Sequence, residues 1–94
     1  MHEVYQRIAR AIDEDRIVFS LHADNQLTSR GIVRWQVVAG FREGELVEIN
    51  PQARPYPKIL MQQSLADGTE VVVVWSYIES LASANVVTVF FPEE

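Results

Sequence analysis

The run Glu70-Val71-Val72-Val73-Val74-Trp75 constrains this chain more than any other stretch. Valine is stiff at χ1 and packs well on a pleated surface, and four consecutive valines belong to a strand covered on both faces. The rest of the chain must therefore supply neighbours for a central strand. Asp67-Gly68 just upstream is a hairpin signal, which makes Lys58 to Ser64 its antiparallel partner. Downstream, Val86-Val87-Thr88-Val89-Phe90-Phe91 reads as the last strand, stopped by Pro92, and Ser76 to Asn85 reads as a small polar connection.

The N-terminal half is helical in period. Val4, Ile8, Ala11 and Ile12 recur at i, i+4, i+7 and i+8, which predicts a helix over residues 3 to 14. The acids Asp13-Glu14-Asp15 fall where the helix dipole disfavours negative charge, so that end is expected to fray. Arg16 to Ser20 is short and rich in β-branched residues, hence a strand, and Ser20 is placed to cap a helix over residues 21 to 29 that Gly31 stops in a left-handed turn. Trp35, Val38 and Phe41 predict a further helix over residues 34 to 42, with Gly40 marking close approach of two helices. Trp35, Trp75 and the Phe90-Phe91 pair all read as packing residues. From Glu45 the period changes to two, with Val47 and Ile49 on one face of a strand and Leu46, Glu48 and Asn50 on the other. Pro51, Pro55 and Pro57 then impose a stiff loop. The expected fold is a single α+β domain over residues 1–94, with N-terminal helices packed on one face of a small antiparallel meander of three or four strands.

Composition narrows the chemistry. Without cysteine there is no disulfide framework, thiolate nucleophile or thiolate metal site. His2 and His22 are the only histidines and no acidic loop has calcium-type spacing, so no metal is expected; nor is a cofactor, since no phosphate-cradling glycine loop is present. No apolar run approaches the roughly 20 residues that span a membrane, and the expected setting is soluble and cytoplasmic. A net charge of −5 argues against broad coating of nucleic acid, although a local arginine cluster could still hold one RNA segment.

If residues 21 to 29 are helical, His22, Gln26 and Arg30 share one face at i, i+4 and i+8. An imidazole titrates near neutrality and can take a proton from a ribose hydroxyl, while a guanidinium can hold a phosphate; equally, His22 can bond a backbone carbonyl and Arg30 can pair with an acid such as Glu48 or Asp24. Arg54 and Tyr56, on the proline loop, offer a cation and a stacking ring, or else a solvated arginine and a ring covering the sheet edge.

The pieces Ser20-x-His22-Ala23, Arg30-Gly31-Ile32, Gly44-x-x-x-Glu48 and Pro55-Tyr56-Pro57, followed by Asp67-Gly68, together resemble the bacterial domain-of-unknown-function family 4258, across roughly residues 16 to 92. That family looks related to the RelE/ParE-like toxin fold, a small antiparallel sheet packed by N-terminal helices. The resemblance implies a toxin–antitoxin or toxin-derived setting with an antitoxin-like protein partner. For ribonucleolytic members it implies metal-independent RNA cleavage. His22 and Arg30 stand where the family pattern places a histidine and an arginine. On that reading His22 transfers the proton, Arg30 and Arg54 hold phosphate, Tyr56 stacks a base and Gln26 belongs to the substrate face. The competing class is a non-catalytic module that docks a cognate protein through the same face, or through a partner strand added to a sheet edge. Homo-oligomerisation stays open on either reading.

Overall fold

A computed structural model of the chain describes residues 2–93. The first helix, α1, runs Glu3–Asp13, started by the His2 imidazole, whose Nδ1 accepts from the Val4 N–H at 3.1 Å. Its buried residues Val4, Ile8 and Ala11 keep the expected spacing. The acidic exit is orderly: Asp15 takes a left-handed conformation (φ 59°), Arg16 N–H returns to the Ala11 carbonyl at 2.8 Å, and the Glu14 carboxylate pairs with Arg10 and Arg16. Strand β1 is Ile17–Phe19, and α2 is Leu21–Arg30. Ser20 caps α2, its Oγ accepting from Ala23 N–H at 3.0 Å while donating to the Val87 carbonyl. Gly31 ends it at φ 68°, with Ile32 N–H bonded to Leu27 O and Ile32 buried, the pattern of a Schellman stop. Helix α3 is Arg34–Phe41.

Five strands make one sheet in the order β1-β5-β4-β3-β2, with β2 at Glu45–Asn50, β3 at Lys58–Ser64, β4 at Glu70–Ile78 and β5 at Ser83–Phe90. The valine strand β4 is central, as its composition demands. The last four strands form the antiparallel meander, but β1 joins β5 in parallel, Ile17 opposite Ala84 and Phe19 opposite Val86, so the sheet is mixed rather than antiparallel throughout. The supposed connection from Ser76 to Asn85 is mostly strand, joined by the short 3-10 turn Glu79–Leu81. Its small polar residues reflect one sheet face rather than a loop, with Asn85 Nδ2 donating to Ser76 Oγ at 3.2 Å.

All three helices send side chains into one core on one face of the sheet. Phe41 of α3 stacks on Tyr5 of α1 at 5.5 Å and meets Trp75 of β4 edge-on at 5.4 Å. Buried among them, Gln63 donates Nε2–H to the Val37 carbonyl and accepts from the Trp75 indole N–H, both at 2.8 Å. Gly40 lets α3 approach strand β3 rather than another helix: a Cβ there would lie 3.0 Å from Ser64 O and 3.1 Å from Gln63 Nε2. Trp35, expected in the core, is 63% exposed on the outer side of α3. No helix among the described residues is long and apolar enough to cross a membrane.

Candidate functional site

The stripe on α2 holds three different situations. His22 is exposed in the first turn. Gln26, one turn on, turns its Oε1 to the sheet and accepts from Val89 N–H at 2.7 Å and from the Thr88 hydroxyl at 3.2 Å. Strand β1 has ended by then, so Gln26 supplies the acceptor that a neighbouring strand would have given β5. Arg30 lies half-buried at the last turn with its guanidinium 4.5 Å from the Phe91 ring centroid, a cation–π arrangement.

The expected acid partners of Arg30 are engaged or placed elsewhere. Asp24 takes a two-pronged contact from Arg34, with Nε at 2.9 Å and an Nη at 2.5 Å, which clamps α2 to α3. Hydrogen bonds from that guanidinium hold the Asp24 carboxyl below the usual aspartate range, outweighing the opposing effect of burial, with the Arg34 charge adding a lesser lowering. Arg34 also covers the Phe19 ring at 4.9 Å. Glu48 is exposed on β2, the sheet edge opposite β1, paired in register with Leu60.

Arg54 and Tyr56 lie exposed in the β2–β3 loop, whose Pro57 carbonyl accepts from Tyr77 N–H at 3.1 Å. Tyr77 stands opposite Ala84, at the start of β5, whereas Arg30 stacks on Phe91 just past its end. At ~3.3 Å per residue, those levels are about 20 Å apart along the strands. His22 and Arg30 are themselves about 12 Å apart along the helix axis. The geometry thus unites His22, Gln26 and Arg30 on one helix but sets Arg54 and Tyr56 at the other end of the sheet. Among the described residues, surface concavities of about 700, 410 and 210 Å³ lie between α1 and α3, beside Trp35, and between His2 and Tyr77, and these are lined by other residues than those five. Among the described residues no three His, Asp or Glu side chains gather where they could hold a metal ion.

The opposite face of the sheet carries residues that the sequence reading passed over. Strand register puts Leu60 beside Val74, and Gln62 beside Val72, which in turn stands opposite Phe90. These side chains point away from the face on which α1, α2 and α3 build the core, and none of the four apolar ones belongs to that core. Glu45 and Glu48, opposite Gln62 and Leu60, extend the same face to the β2 edge, and Glu70 reaches it from the hairpin end with its carboxylate bonded to Gln62 Nε2 at 2.9 Å. A signal for this face was present in the alternation Lys58, Leu60, Gln62 against Ile59, Met61, Gln63. The unbroken valines of β4 masked it.

No curated protein and no solved structure matches the chain. Residues 19–91 match the family described as Domain of unknown function (DUF4258), which is most of the chain, and the protein belongs to that family.

Proposed function

We propose that this protein is a non-catalytic docking domain of toxin–antitoxin descent, which binds a cognate protein through the helix-free face of its sheet. The observation that carries this reading is the strip of Leu60, Val72, Val74 and Phe90, apolar across three adjacent strands and outside the core that the helices share with the other face, with Leu60, Val72 and Phe90 half-buried and Val74 buried between them. Apolar surface on a sheet is stabilised by being covered, and a strip rimmed by polar groups suits a protein partner. The RelE/ParE-like relationship is part of the proposal; helices preceding an antiparallel four-stranded meander support it. Metal-independent RNA cleavage is the weaker reading. An acid–base pair must reach the same phosphodiester, and the separations along α2 and along the sheet keep His22, Arg30, Arg54 and Tyr56 from doing so together.

The test is to express the chain in a bacterium with a photo-crosslinking amino acid at position 60 or, as a control, at exposed Thr28, recording growth and transcript integrity alongside. The expected result is intact transcripts and a discrete protein adduct from position 60 only. Transcript cleavage that both His22→Ala and Arg30→Ala relieve, with those variants folded, would overturn the proposal in favour of the ribonuclease.

A further inference from the structure

Resting on that docking reading, we infer that the occupant of the open sheet face is an amphipathic helix with basic residues along one flank. The width of the strip points to a helix. It spans β3, β4 and β5, two interstrand spacings of ~4.8 Å, which is close to the ~10 Å diameter of a helix. A helix there gives the sheet a layer on each face, the arrangement that covers a central strand as apolar as β4.

Charge then decides which helix. Glu45 and Glu48 border the strip along its β2 side, both exposed and neither in an ion pair among the described residues. Glu70, also exposed, closes the strip at the hairpin end. The other long side is neutral, with Thr88 and Asn85 on β5. Among the described strand residues Lys58 is the one cation on the face, opposite Ser76 and Asn50, at the end away from Glu70. A helix running along the strands therefore finds acids beside one flank and at one end, and a cation at the other end. The complementary segment carries its Lys or Arg residues on the flank over Glu45 and Glu48 and at the end over Glu70, and none opposite Lys58. This polarity fixes direction as well as position. A second copy pairing edge to edge through β2 would bring Glu45 and Glu48 against their own kind, and like charges directly opposed are unfavourable.

The experiment is a selection against the intact chain from a displayed library of helical peptides about 14 residues long, near the ~20 Å that separates the Glu70 level from the Lys58 level along the strands, with an apolar stripe held constant and both flanks randomised. The expected winners are basic on one flank only, protect the amides of β3 and β4 from exchange, and weaken as salt rises. Their affinity falls about tenfold or more against the triple variant Glu45→Lys, Glu48→Lys, Glu70→Lys, since three exposed contacts of a few tenths to 1 kcal/mol each are reversed. All three positions are exposed, so that variant tests charge rather than folding. Winners that protect the same strands without charge bias would overturn the basic-flank inference and leave the docking face standing. Winners that protect the α1–α3 groove or Trp35 instead, or a self-association abolished by Leu60→Ser, would overturn the docking reading as well.

Discussion

Replacing Gln63 by leucine would leave the Trp75 indole N–H and the Val37 carbonyl buried without partners, since one amide serves both. Each orphaned neutral group costs about 1–3 kcal/mol, so Gln63→Leu is expected to lose about 2–4 kcal/mol in urea unfolding, with a smaller loss in a Trp75→Phe background where the donor is already gone. Gly40→Ala is expected to destabilise despite alanine's higher helix propensity, because the added methyl would press on the Ser64 carbonyl of the neighbouring strand. A third residue-scale test concerns acid. The Asp24 carboxyl is held down by Arg34, so the clamp between α2 and α3 is fully present above the ordinary aspartate range and is lost as pH falls through the lowered folded value. Carboxyl NMR should show Asp24 titrating below an ordinary aspartate, and returning to the usual range in Arg34→Gln. None of these three roles could be read from residue type. A glutamine in an apolar alternation, a glycine in a helix and an arginine three residues past a stop become specific only once β3, α3 and α2 are brought together.

Among the elements, legibility followed locality. Helices α1 and α2, the caps at Ser20 and Gly31 and the Asp67-Gly68 hairpin all depend on residues within a few positions of each other, and the sequence patterns located them. Strand β2 exposed the limit of pattern. Strict alternation joined Val47 with Ile49, but a bulge between Leu46 and Glu48 shifts the phase, so Leu46 and Ile49 face the core and Val47 is 56% exposed. A single inserted residue leaves no compositional trace. The same holds for Gln26, whose part in completing β5 depends on contacts more than sixty positions away. Hydrogen exchange tests that part: Gln26→Leu should speed exchange at the Val89 amide and cost about 1–2 kcal/mol, while Gln26→Glu, which keeps an acceptor, should restore most of the protection.

At the scale of the whole molecule, charge and topology set what the protein can meet. Among the described residues Arg7, Arg10, Arg16, Arg34 and Arg42 sit in ion pairs with Glu3, Glu14, Asp24 or Asp13, and the net charge is −5. A labelled single-stranded RNA should therefore show no salt-sensitive binding by fluorescence anisotropy; saturable binding that weakens with salt would mark a nucleic-acid face. The parallel rung between β1 and β5 has a consequence for synthesis. Strand β5 is made after every other element described here in chain order, yet β1, α1 and α2 all rest on it. Residues 17–19 must wait for residues 84–86, so a chain growing from the ribosome holds α1 and α2 without their seat until β5 has been made. Folding is then a single late closure rather than a stepwise build from the N-terminus, and a stalled or shortened chain would lack a latch as well as a strand.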